Sequence, residues 1–141
     1  MINSILESIS ISLNSEFGDD YAVYMESIEQ DLKKSCFFVL CMNSAGKAFS
    51  GQRYFRENQF CLQFFPADRD RAREESNAIA ERLFSCLEYI TVTGNLLRGT
   101  KMKCEVIDEV LNFFVNYDLF VYKETASNVM EEISQDVTVK G

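Results

Sequence analysis

The sequence predicts an α+β domain: a mainly antiparallel, twisted sheet of about five strands with two principal helices packed on it. Three observations carry that expectation. Residues 1–17 and 68–89 place apolar side chains at helical spacing. Segments 60–64, 101–107 and 111–121 alternate with period two, as half-buried strands do. The elements follow in the order helix, three strands, helix, antiparallel strand pair.

In residues 1–17, Ile2, Ile5, Leu6, Ile9 and Leu13 fall on one face. Ser4 and Glu7 have the spacing of a capping box. Gly18-Asp19-Asp20 ends this helix. Residues 21–26 alternate as a strand, with Tyr21, Val23 and Met25 on one side, and the polar residues 27–34 read as a loop. The run CFFVLCM, residues 36–42, is apolar throughout, as in a central strand covered on both faces. Asn43-Ser44-Ala45-Gly46 reads as a turn, and residues 48–53 as the continuation of an exposed hairpin arm.

Residues 54–65 form a long predicted strand, with Phe60, Leu62 and Phe64 opposite Gln59, Cys61 and Gln63. Pro66 stops it, and Asp68 is placed to cap the next helix. That helix is expected to reach Tyr89, burying Ala72, Ile79, Leu83, Cys86, Leu87 and Ile90, with an Arg71–Glu75 pair on its polar side. Residues 91–100 hold a Gly94-Asn95 turn and Gly99. Residues 101–107 then alternate, and Asp108-Glu109 turns the chain into a last long strand at 110–122. Residues 1–123 thus form the predicted domain. Residues 124–141 carry Glu124, Glu131, Glu132 and Asp136 against one Lys140, and read as an acidic tail that orders only on a partner.

Composition narrows the function. The 141 residues suit one domain. Acidic residues number 22 against 14 basic ones, a formal net charge of −8, which does not suit wrapping duplex DNA through the general surface. The same charge favours solubility and repels anionic membranes. The first 13 residues have no basic n-region and no long apolar run, so no secretory signal is expected. No stretch approaches the roughly 18 apolar residues of a membrane span. Five cysteines, Cys36, Cys41, Cys61, Cys86 and Cys104, show no CxxC spacing; free thiols in a reducing cytoplasm are the expectation.

The chain contains no histidine, which excludes a Ser-His-Asp or Cys-His apparatus and an HExxH zinc site. Gly46-Lys47 resembles the end of a phosphate-binding loop, but Cys41 stands where its first glycine belongs. Asp68-Arg69-Asp70 could offer oxygens to a metal; acidic residues at a helix start explain it better. Arg53-Tyr54-Phe55-Arg56 interleaves bases with aromatics like a single-strand binder, against the acidic balance of the chain. No catalytic residue, cofactor site or metal site is assigned.

Two features point to protein contacts. On the last strand, Phe114, Phe120 and Tyr122 share a side with Asn112, Asn116 and Asp118. That face is too apolar for open solvent and too polar for a core; it suits an interface or a face covered by a helix. The hairpin arm at 43–52 carries Phe49 as its one large apolar group, between Lys47 and Arg53. Phe49 either anchors a partner or folds back on the domain.

Four segments, RYFRENQFCLQFFP (53–66), AERLFSCLEYITV (80–92), LRGTKMKCEV (97–106) and VLNFFVNYDLFVYK (110–123), resemble the tail terminator family of phages and prophages of Gram-positive bacteria. The resemblance covers residues 1–123. It implies a structural protein that forms a homohexameric ring, caps the head-proximal end of the tail tube and joins it to the head connector. It further implies the tube protein as partner, with sheath and head-completion proteins beside it. DNA only passes through the lumen, and no membrane is involved. Assembly in the host cytoplasm and a final place in a phage tail or tail-like bacteriocin follow. A small adaptor or chaperone binding one protein partner is the alternative that the residues leave open.

Overall fold

A computed structural model of the protein describes residues 1–25 and 35–122. The first helix, α1 (Ile2–Phe17), buries Ile5, Ile9, Leu13 and Phe17 along one face. It begins at Met1 without a side-chain cap, so the Ser4–Glu7 box is not used. The reason is that the helix starts three residues earlier, leaving both side chains within it. Gly18 ends it at φ 73°, where a side chain would be strained.

The strands are β1 (Ala22–Tyr24), β2 (Cys36–Ala48), β3 (Arg53–Phe65), β4 (Tyr89–Val92), β5 (Asn95–Ile107), β6 (Val110–Tyr117) and β7 (Leu119–Tyr122). Their order is β1-β2-β3-β6-β5-β4, with β7 pairing β3 as well. Among the described residues only the β1–β2 pair is parallel; the other pairs are antiparallel. The α+β class and antiparallel character therefore match the expectation. The sheet is richer than five strands because two short segments separate as strands of their own.

One of these is β4. The second helix, α2 (Ala72–Cys86), stops short of the expected Tyr89, so Ile90 is buried from a strand instead of a helix. Apolar spacing alone could not see this, because Ile90 faces the same core either way. Thr93 and Gly94, at φ 45° and 83°, make the two-residue turn into β5. Asp68 does cap the start of the helical segment: its side chain accepts from the Asp70 N–H at 3.0 Å, within a single 3-10 turn that runs into α2. Arg71 pairs with Glu74 at 3.0 Å and not with Glu75, whose carboxylate faces the Ser35 hydroxyl.

The other is β7: the expected last strand at 110–122 divides at Asp118, and residues 119–122 pair with the outer part of β3. A further departure is the β2–β3 hairpin. No turn forms at 43–46; β2 runs straight through, with a bulge between Cys41 and Asn43. The chain reverses later, at Ser50-Gly51, where the Phe49 N–H donates to the Arg53 carbonyl and the Arg53 N–H to the Ser50 carbonyl, both at 2.9 Å. Residues 43–48 can stay extended because residues 54–59 pair with every one of them.

Both helices pack on one face of the sheet. There Phe37, Val39, Phe60, Leu62, Phe64, Leu111, Phe113, Val115 and Tyr117 meet α1 and the Ile79, Ala80 and Leu83 side of α2. The rings of Phe17, Phe37 and Phe64 pack in series, tilted, at 5.0 and 5.2 Å, closing the core under the end of α1. Each such fully buried ring contributes about 2–3 kcal/mol. The predicted loop at 27–34 and the acidic tail at 124–141 lie outside the described residues. Among the described residues no helix is long and apolar enough to cross a membrane.

Candidate protein interface

The long hairpin sets the geometry of the candidate site. β3 pairs with β2 over its full length, but its other edge is shared: β6 covers residues 59–64 and β7 covers residues 53–56. The result is a three-stranded arm of residues 43–48, 53–58 and 119–122 that extends beyond α1 and α2. Registers across the arm place Lys47 opposite Phe55, Phe55 opposite Phe120, and Arg53 opposite Tyr122. Opposed residues share a face, so all five lie on the side away from the helices.

At the tip Phe49, Arg53, Phe55 and Phe120 form one cluster. The Phe49 and Phe55 rings each lie 5.1 Å from the ring of Phe120. The Arg53 guanidinium sits 4.4 Å from the centre of the Phe120 ring and 5.2 Å from that of Phe49. The ring quadrupoles attract the cation, which holds it beside the aromatics. Phe49 is nevertheless 58% exposed, Tyr122 46% and Phe120 42%. So Phe49 both folds back onto its own arm and presents a large apolar surface.

The remaining candidates sit further along the same face. Phe114 is half-buried, with the Lys103 ammonium 5.4 Å from its ring centre. Asn112 and Asn116 are buried. The Asn112 side chain accepts from Gln63 at 3.0 Å and donates to the Val110 carbonyl at 3.2 Å, so it braces β6 against β3. Asp118, between β6 and β7, accepts the Asn58 N–H at 3.1 Å. Asn58 itself is fully buried; its amide donates to the Tyr117 carbonyl at 3.0 Å and accepts from Ser44 at 2.7 Å. The structure thus separates the nine candidates into an arm group, Lys47, Phe49, Arg53, Phe120 and Tyr122, and a body group engaged mainly with its own sheet.

A shallow groove of about 370 Å³ lies between the groups, lined by Asn43, Glu57, Gln59, Lys101, Lys103 and Asn116 among others. Its mixed charge and open shape suit a protein surface more than a small molecule. Nearby, burial together with the Glu105 carboxylate pushes the Cys61 thiol up to about 11. A thiol so disposed is unreactive at neutral pH. Among the described residues no three His, Cys, Asp or Glu side chains are placed to hold a metal.

Sequence reasoning passed over Asn58, whose buried amide organises the root of the arm, and the exposed Ile107 at the β5–β6 turn. The first is invisible because a polar side chain in an alternating strand reads as solvent-facing. The second carried a signal, an apolar residue directly before Asp108-Glu109, that was read only as a strand end.

Comparison with curated proteins finds no match. Among solved structures, the sheath/tube terminator of an extracellular contractile injection system, PVC, in its extended state, superposes with a TM-score of 0.51 at 9% identity. The match covers 99% of this chain and 65% of the other, so this chain spans less than two thirds of that protein. A second solved chain has a TM-score of 0.37 at 12% identity, over 86% of this chain and 98% of its own, and bears no further weight. At these identities the likeness is one of fold. A family model described as phage tail terminator protein matches residues 4–129, most of the sequence, and the chain belongs to that family.

Proposed function

We propose that this protein closes the head-proximal end of a tail tube as a ring of six identical chains. It stops tube polymerisation there and offers the surface to which the head connector joins. The observation that carries this reading is the family match over residues 4–129. The PVC protein is named as a terminator of both sheath and tube, which favours a contractile particle, with the sheath as a further neighbour. The net charge of −8 suits a lumen through which DNA passes without being gripped.

In this role the protein works by shape and contact, not by catalysis. A ring needs a heterologous contact, in which two different patches of one chain meet and the rotation closes. The stiff arm and the mixed aromatic-polar face of β6 are the surfaces it brings to its neighbours. The test is to tag the chain, purify assembled particles and locate it by cryo-electron microscopy. Density for six copies at the head-proximal end is the expected result. One copy, or a position elsewhere on the particle, would end the proposal.

A further inference from the structure

The two ends of the sheet carry opposite charge. At the arm, residues 43–59 hold Lys47, Arg53 and Arg56 against Glu57 alone. At the other end, the β5–β6 hairpin at 105–109 holds Glu105, Asp108 and Glu109 and no base. Asp108 and Glu109 stand at φ 52° and 66°, a tight turn whose geometry aims it out of the sheet. The registers fix how far apart these ends are. β6 pairs with β3 from Gln59–Asn116 to Phe64–Leu111, and Ile107 pairs with Val110 just beyond. From Arg53 to Phe64 along β3 is roughly 36 Å at 3.3 Å per residue.

Each end also has an exposed apolar group. Phe49 is 58% exposed at the basic end and Ile107 50% at the acidic end. Ile107 and Glu105 lie opposite Val110 and Asn112, which puts them on the face that also carries Arg53, Phe55 and Phe120. A basic aromatic tip and an acidic aliphatic tip, on one face and at opposite ends, cannot meet within one chain. They can meet between two.

We infer that the arm tip of one copy, through Phe49, Lys47 and Arg53, docks on the β5–β6 hairpin of the next copy, through Ile107, Glu105 and Asp108. This deepens the ring reading and rests on it. The occupant is a second copy because the complementary surface, charge and apolar anchor together, is present on this chain. A head-to-tail contact of this kind is heterologous, as a ring requires. The apolar pair supplies the anchor, and the charges set orientation and speed of encounter.

The contact is tested by sedimentation of the full chain in low salt, up to about 0.1 mM, a range that detects weak protein pairs. The wild-type chain associates, and high salt weakens it. Lys47→Glu and Asp108→Lys each place like charges together and weaken association about a hundredfold. Because each variant keeps one intact tip, an equimolar mixture of Lys47→Glu/Phe49→Ala with Asp108→Asn/Ile107→Ala gives one-to-one pairs and nothing larger. Circular dichroism checks that the variants fold.

A wild-type chain that stays monomeric throughout, or variants that associate like wild type, overturn the contact. Loss of binding to the tail tube protein in the Lys47→Glu/Phe49→Ala variant, with self-association unchanged, also overturns it and makes the tube the occupant. The outcome is separable from the ring reading itself. A sixfold ring whose copies touch elsewhere removes this contact and leaves the function. Association through these tips in a chain that particles lack removes the function and leaves the contact.

Discussion

The Tyr117 hydroxyl donates a 2.6 Å hydrogen bond to the Leu87 carbonyl, joining the end of β6 to the residue that follows α2. Tyr117 is fully buried. The Leu87 carbonyl is one of those that a helix leaves without a partner at its C-terminus, so a side chain from the sheet completes the helix. The same β6 end carries the Tyr117 carbonyl that Asn58 holds at the root of the arm. One residue thus ties α2, the core and the arm together.

Removing only the hydroxyl tests this tie. Tyr117→Phe keeps the ring in place and leaves the Leu87 carbonyl buried without its donor, so unfolding stability falls by about 1–3 kcal/mol. Urea denaturation measures it. Wild-type stability in the variant would mean that the hydrogen bond contributes nothing net.

Gly99 lies in the same corner. Its N–H donates to the Glu88 carbonyl at 2.7 Å. A Cβ there would stand 2.7 Å from the Leu87 oxygen and 2.9 Å from a methyl of Val115. Neither neighbour is the loose end of a flexible side chain, so Gly99→Ala costs about 1–3 kcal/mol as overpacking. It should lower the thermal midpoint, whereas Gly51→Ala, with open space around it, is limited to the strain of its φ of 59°. Equal midpoints for Gly99→Ala and wild type would contradict the close approach.

Stability should also fall at high pH. Burial, then the Glu16 carboxylate, pushes the Cys86 thiol up to about 12, with Arg82 pulling the other way. Cys61 stands at about 11, and burial likewise raises the Tyr117 phenol above its ordinary 10.0. In each case the folded chain holds a proton that the unfolded chain gives up sooner. Their contribution is complete below pH 9.0, the ordinary thiol value, and is lost as pH rises through about 11 and 12. Urea midpoints at intervals above pH 8 should decline steadily, and less steeply in a Cys61→Ala/Cys86→Ala chain. A flat profile would exclude this origin.

The arm is tested by function. Phe49 and Lys47 are exposed, and neither lies in the core. Phe49→Ala with Lys47→Ala should therefore change stability by about 1 kcal/mol or less while weakening the capping of the tube. Electron microscopy of particles from a complemented knockout would then show overlong tails or poor head joining. Tails of normal length with normal heads would move the contact to the β6 face around Phe114.

The α+β class and most of its parts were legible because burial imposes a period. One face of α1 and alternate residues of β3, β5 and β6 must be apolar, whatever the details of packing. The family likeness was legible from the same stretches, and the match over residues 4–129 bears it out. Boundaries were less legible. The turn signal at 43–46 yielded to cross-strand pairing, since residues 54–59 offered every residue of that stretch a partner. The separation of β4 from α2 was decided by cross-strand pairing with β5, from Tyr89–Arg98 to Val92–Asn95, which helical spacing does not register.

The candidate site divides in the same way. Its residue types were visible in sequence: Phe49, Arg53, Phe120 and Tyr122 stood out as aromatic and basic groups where a core was not expected. Their union in one cluster was not, because it depends on β7 crossing to β3 beyond the end of β6, some 65 residues along the chain. Apolar periodicity determined that this protein would bury two helices on a sheet, and composition that it would carry a net charge of −8. Only the tertiary structure decided that an arm with Lys47, Arg53 and Arg56 stands at one end of the sheet and an acidic turn at the other. Charge is a property of residues, but its placement follows from strand register, and register is fixed by contacts between segments far apart in sequence.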